Sequence, residues 1–216
     1  MRGLEQIPPV YDSFMAILDR LALGRLRRSL LEAPPREPEV RPPARWLEVG
    51  CGTGRNLPHY PDEVRVIGLD PDRTVLRAAR RRAPSVSLVQ ARAEALPFRD
   101  GAFPVVVSSL VFCSVDDPHA GLDEVARVLQ PAGTLRMLEH VRPRSRVGAR
   151  LARLVQPLWT VVAGGCRPDR DTEGTVRASG FRIDPSSRRA WSVFRRFDAT
   201  PAPRSDSPGP GRRAQS

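Results

Sequence analysis

The chain has 216 residues with 40% hydrophobic content and a formal net charge of +11, which suits one substantial core and is too short for two ordinary domains of equal size. No lysine occurs, so all 35 basic residues are arginine, and with 23 prolines this usage reads as the codon bias of GC-rich DNA and sets a nucleic-acid partner aside. The three cysteines, Cys51, Cys113 and Cys166, are too scattered for a structural zinc site and suit a reducing, cytoplasmic location without a metal.

The N-terminus MRGLEQIPPVYD has no apolar stretch of the kind an export signal needs. Apolar residues at Val10, Phe14, Ile17, Leu18 and Leu21 then recur at helical spacing, predicting a helix from about Pro9 to Leu31 with a bend at Gly24. EAPPREPEVRPPAR is a proline-rich linker that suits neither helix nor central strand. Residues 1–44 are therefore expected to be helix and linker, ahead of a domain over 45–200. From Arg45 the elements alternate: a strand over Trp46–Val49, a glycine turn opening a helix, VRVIGLD, a helix over Thr74–Arg82, and VSLVQ. PVVVSSLVF and GTLRMLEHV follow, separated by a helix around Gly121–Leu129 that ends at QPAGT, and FRIDPSSRRAW and SVFRRFDA supply the last strands. Such alternation signals a parallel sheet covered on both faces. The longest nearly apolar run, Val105–Val115, is well short of the roughly 20 residues of a membrane span. The tail over 201–216 has the composition of disorder.

The sharpest local signal is WLEVGCGTGRN, Trp46 to Asn56, in which Gly50, Gly52 and Gly54 directly follow a strand. A glycine-rich turn there lays backbone N–H groups open to a ligand at the carboxyl edge of the first strand. The dinucleotide form needs a third glycine where Arg55 stands, which favours a nucleoside ligand without a pyrophosphate. Asp70 ends the next strand, 16 positions beyond Gly54, where a carboxylate can accept hydrogen bonds from two vicinal ribose hydroxyls.

LEVGCGTGRN, IGLDPD, AEALPFRDGAF and EVARVLQPAGTLRMLEHV, in that order, resemble the class I S-adenosylmethionine-dependent methyltransferases, and the resemblance covers about Tyr11 to Phe181. It implies a Rossmann-like α/β fold, a seven-stranded, mostly parallel sheet with an N-terminal helical lid, and S-adenosyl-L-methionine as cofactor. The implied cofactor-binding residues are Tyr11, Glu48, Gly50, Cys51, Gly52, Thr53, Gly54, Asp70, Pro71, Ala93, Glu94, Ser109 and Leu110. This chain departs from the family pattern at Arg92, where an aspartate is common, at Pro104, and at Ala132-Gly133 in place of a glycine pair. His140 ends the fifth strand and is the candidate catalytic base or acceptor-orienting group. Cys51 and Cys113 read as packing residues.

Over Val147–Trp159 an apolar stripe with arginines elsewhere on the wheel predicts a helix that roofs the pocket or packs in the core, with peripheral membrane contact as the alternative. LEHV, PLW, GCRPDRDT and RASGF further resemble the branch that methylates alkyl thiols, and the hydrophobic N-terminal anchor of the animal members is not expected here. The expected activity is methyl transfer to a small-molecule acceptor, an alkyl thiol by this resemblance. The alternatives are a lipid or quinone methyltransferase and a non-catalytic cofactor-binding protein.

Overall fold

The computed structural model describes residues 12–13, 15–17, 19–32, 44–141, 150, 154, 167 and 170–202. The strands are β1 (Ala44–Val49), β2 (Val64–Asp70), β3 (Ser87–Gln90), β4 (Phe103–Ser109), β5 (Leu129–His140), β6 (Phe181–Ile183), β7 (Arg189–Trp191) and β8 (Phe194–Pro201). They form one eight-stranded sheet in the order β3-β2-β1-β4-β5-β8-β6, with β7 paired to β8 off that path. The first five strands are parallel to one another, and β8 runs antiparallel to β5, β6 and β7. The expected mostly parallel sheet is therefore present, with eight strands where seven were predicted.

Helices α1 (Gly24–Glu32), α2 (Arg73–Arg82), α3 (Pro118–Val128) and α4 (Thr172–Ala178) cover both faces. Alternation along β4 shows how. Val105 and Val107 pack with Leu26, Leu30 and Leu31 of α1, while Phe103 and Val106 point the other way, toward Leu122 and Val125 of α3 and Val176 of α4. A strand buried on both faces must be apolar throughout, and FPVVV is. Pro104 falls in the register shift between Phe103 and Val105, where a missing N–H costs the ladder least. Three of the helices start at an aspartate, Asp72, Asp117 and Asp171, each accepting amide hydrogen bonds from the first turn.

The N-terminal helix is irregular where a bend was expected. A π-helical turn, Asp19–Leu23, runs into α1, and a Cβ on Gly24 would meet the Asp19 carbonyl oxygen at 2.5 Å. Two buried arginines anchor α1: Arg136 Nη1 donates to Leu30 O at 3.3 Å and Arg196 Nη2 to Ser29 O at 3.0 Å. They thus satisfy carbonyls of its last turn and oppose the negative end of its dipole. Arg136 also lies 4.9 Å from the Trp46 ring centroid, and burial pushes its guanidinium down to about 10.

Three expectations are corrected. The helix predicted after the glycine turn is a single 3-10 turn, Leu57–His59, because Pro58 and Pro61 leave too few consecutive donors for an α-helix. FRIDPSSRRAW is not one strand: Asp184 caps a 3-10 turn at Pro185–Ser187 that separates β6 from β7. β5 starts at Leu129, and the QPAG segment is absorbed into the strand as the irregularity opposite Pro104.

Candidate active site

The sheet order reverses between β1 and β4, so the loops leaving those strands diverge and open a crevice at the carboxyl edge. A cavity of about 570 Å³ lies there, lined by Glu48 and the glycine turn from β1, Asp70 and Pro71 from β2, Ala93 and Glu94 beyond β3, and Ser109 and Leu110 from β4. Gly50, Gly52 and Gly54 have φ of +67°, +53° and +76°, a conformation that disfavours any side chain. Their surroundings differ. A Cβ on Gly50 would overlap the Val111 methyls, and one on Gly54 would meet Ala79 of α2 at 2.9 Å, whereas one on Gly52 would have nothing within 4 Å. Gly52 thus faces the open cavity, and Gly54 is a packing position that does not line it.

Asp70 both shapes the turn and faces the cavity. Its Oδ2 accepts from Gly52 N at 3.0 Å and its Oδ1 from Asp72 N at 2.9 Å. Burial raises its carboxyl while these amides pull it back. Two amide bonds leave further lone pairs on the carboxylate.

At the other end a polar relay joins the turn to the N-terminal helix. Glu48, 1% exposed, accepts from Asn56 Nδ2 at 2.5 Å and Tyr60 Oη at 3.1 Å, and burial pushes it up to about 7. Arg27 Nη1 donates to Asn56 Oδ1 at 2.5 Å and lies 3.5 Å from Ser109 Oγ, and its Nε donates to Asp19 Oδ1 at 3.2 Å. Arg55 Nη2 donates to Asp19 Oδ2 at 2.6 Å, Thr53 Oγ1 to Asp12 Oδ1 at 2.8 Å, and Arg82 also pairs with Asp12. Arg27 and Arg55 line the cavity, so the described N-terminal residues form part of its wall.

Most of the expected residues come together. Glu48, Gly50, Cys51, Gly52, Thr53, Asp70, Pro71, Ala93, Glu94, Ser109 and Leu110 all line the cavity. Tyr11 lies outside the described residues, as does most of the 147–159 stripe. His140 is not brought to the cavity: its ring packs edge-on against Phe194 with centroids 5.6 Å apart, and burial lowers it to about 4, so it is neutral near pH 7. Cys51 packs against Gly68, and burial pushes its thiol far up, which removes it as a nucleophile. Arg92 stands at the lip, paired with Glu94 at 3.0 Å and Asp116 at 2.7 Å.

Sequence reasoning missed Arg27, Asn56 and Val111. Arg27 carries no local signal, because it reaches the site across the linker. The charge in the buried run WLEV was the available clue to Asn56, since a buried carboxylate needs partners.

Comparison with known proteins bears on the domain that holds this cavity. Residues 47–137 match the model of the methyltransferase domain. The chain thus carries a methyltransferase domain, and its sheet order is that of the class I methyltransferase fold. It is 38% identical over 134 residues to thiol S-methyltransferase TMT1B of Homo sapiens, covering 58% of this chain and 55% of that protein. It is 31% identical over 140 residues to demethylmenaquinone methyltransferase of Renibacterium salmoninarum, covering 64% and 57%. The chain thus spans somewhat over half the length of these relatives. An S-adenosylmethionine-dependent methyltransferase of Thermotoga maritima shares the fold, with a TM-score of 0.69 at 22% identity over 91% of this chain and 97% of that one. Among the described residues no helix is long and apolar enough to cross a membrane.

Proposed function

We propose that the chain binds S-adenosyl-L-methionine in the 570 Å³ cavity and transfers its methyl group to an alkyl thiol. The observation that carries the cofactor reading is the polarity of the cavity: an acid at one end, and a guanidinium beside a second acid at the other. Asp70 would accept from the ribose hydroxyls, and the open space at Gly52 leaves room for the ligand against bare backbone. Arg27 would hold the amino acid carboxylate and Glu48 the ammonium, with the N-terminal helix covering that end. Ala93 and Glu94 would flank the adenine. When bound, the cofactor supplies an electrophilic methyl that a thiolate displaces in line, leaving S-adenosylhomocysteine.

Two things support a thiol acceptor: the likeness to TMT1B, and the chemistry of the lining. The ionisable groups that line the cavity are arginines, Cys51, and the acids Glu48, Asp70, Asp72, Glu94 and Asp116; among the described residues no histidine lines it. A thiol with a pKa of about 8.5 is already a few per cent thiolate at pH 7, so it needs alignment and exclusion of water more than a base, and nothing is asked of His140. The likeness to demethylmenaquinone methyltransferase supports a quinone as the second reading. The test offers hexanethiol, hexanol, hexylamine and a demethylated quinone at equal concentration with labelled cofactor and measures methylated product by mass. Thiol methylation is expected to dominate; an inert thiol beside a methylated quinone overturns the acceptor while leaving the methyltransferase.

A further inference from the structure

Two short motifs on which the thiol-branch resemblance rested meet on one loop. β4 ends at Ser109, and Leu110 then turns into the left-handed region at φ +62°, which a branched side chain adopts only under constraint. The constraint is visible in the backbone of the next three residues. Glu139, 0% exposed on β5, accepts on Oε1 from Val111 N at 3.1 Å and Phe112 N at 3.2 Å, and on Oε2 from Cys113 N at 3.3 Å. Ser108 Oγ adds a fourth donor at 2.9 Å.

The carbonyls are taken from the other side. Arg170 Nη1 donates to Phe112 O at 2.6 Å and Val115 O at 2.9 Å. Arg167 N donates to Cys113 O at 3.0 Å, and Val111 O accepts from Ser114 N at 2.8 Å. Every backbone polar group of Val111, Phe112 and Cys113 is therefore paired, three of them by one carboxylate. Glu139 comes from LEHV and Arg167 and Arg170 from GCRPDRDT. The clamped loop is the cavity wall: Leu110, Val111, Ser114, Val115 and Asp116 line it, and Val111 fills the space a Cβ on Gly50 would need.

We infer that Glu139 and Arg170 are positioning residues that together hold the Leu110–Val115 loop against the glycine turn and so set how well the cavity accepts its cofactor. Neither side chain lines the cavity; both act through the loop backbone. The inference rests on the proposed cofactor reading and is independent of the acceptor. A freed loop populates the wall conformation only part of the time, and apparent affinity falls by that fraction.

The experiment compares wild type, Glu139→Gln, Arg170→Gln and the double variant. Titration with S-adenosylhomocysteine at 25 °C is read beside the melting temperature and the hydrogen exchange of the Val111, Phe112 and Cys113 amides. Each single variant should bind roughly tenfold more weakly and exchange these amides at least roughly tenfold faster, with β1 and β4 amides unchanged. The double variant should bind within about threefold of the weaker single one, because the loop can be released only once. A lowered melting temperature with unchanged affinity overturns the inference, as do unchanged exchange and losses that multiply. Should Glu139→Gln fail to fold, Arg170→Gln decides alone on affinity and exchange. Wild type that does not bind S-adenosylhomocysteine overturns the cofactor reading together with this one. Wild type that binds it but leaves thiols unmethylated overturns the thiol assignment only, and the binding curves still judge the clamp.

Discussion

Gly52 and Gly54 look alike in the sequence, yet the structure predicts opposite consequences for replacing them with alanine. Both have positive φ, and forcing an L-residue there costs about 1–2 kcal/mol. At Gly52 nothing else is added, since the new Cβ meets nothing within 4 Å. At Gly54 the Cβ would stand 2.9 Å from Ala79 Cα, 3.0 Å from its Cβ and 3.1 Å from Leu57 Cδ1. Ala79 is backbone of α2 and cannot move without the helix, so an overpacking penalty of about 1–3 kcal/mol is added. Gly52→Ala should thus lose about 1–2 kcal/mol of stability and Gly54→Ala about 2–5 kcal/mol. Affinity should separate them the other way: the methyl on Gly52 enters space assigned to the ligand, while folded Gly54→Ala keeps that space. Urea unfolding supplies the stabilities, and calorimetry with S-adenosylhomocysteine the affinities. If Gly52→Ala binds like wild type, or Gly54→Ala proves no less stable than Gly52→Ala, the division into a ligand glycine and a packing glycine is wrong.

Asp70→Ala removes the acceptor for Gly52 N and Asp72 N as well as the proposed ribose contact, so calorimetry should show binding weaker by about 1.5–3 kcal/mol; unchanged affinity removes Asp70 from the site. Arg27→Met should weaken S-adenosylhomocysteine by a similar amount but leave 5′-methylthioadenosine, which lacks the amino acid end, unaffected, and equal losses for the two ligands would contradict the carboxylate contact. Glu48, raised by burial from its ordinary 4.5 to about 7, holds its proton longer folded than unfolded, so its contribution is full below pH 4.5 and declines as pH rises toward 7. Wild type should therefore lose up to about 3 kcal/mol relative to Glu48→Gln between pH 4.5 and 8, and parallel urea midpoints for the two proteins over that range would refute the shift.

The legible parts of this chain are those whose cause is local. The glycine turn, Asp70 at a strand tip and the aliphatic run of β4 each state their structure within a few residues, and the mostly parallel sheet followed from the resemblance they carried. The expected helix after the turn failed for a reason also written locally, in Pro58 and Pro61, which the strand–helix alternation overrode. The polar relay and the clamp were illegible in a different sense. Arg27 meets Asn56 across 29 positions and Arg170 meets Phe112 across 58, and no periodicity reports such pairs. A weaker signal existed. LRMLEH places a carboxylate in a strand that is buried on both faces, and such a group requires donors. The neighbouring His140 is the more conspicuous residue of that strand end, and the structure leaves it against Phe194.

Three buried acids stand at the carboxyl ends of β1, β2 and β5, and their partners divide the work among them. Asp70 and Glu139 accept from backbone amides, so each converts a side-chain charge into a fixed course of the chain, one for the glycine turn and one for the wall facing it. Amides cannot rotate away, and these two acids are therefore tied to shape. Among the described residues Glu48 accepts from side chains alone, Asn56 and Tyr60, with Arg27 behind Asn56. Side chains can exchange partners, so Glu48 is the acid whose environment a ligand can alter without moving the backbone. An ammonium placed beside it would favour the ionised form that burial opposes, and that form accepts the hydrogen bonds of Asn56 and Tyr60 more strongly. Of these three acids, the two held by amides stand where geometry must be kept, and the one held by side chains stands where the cofactor's charge would arrive.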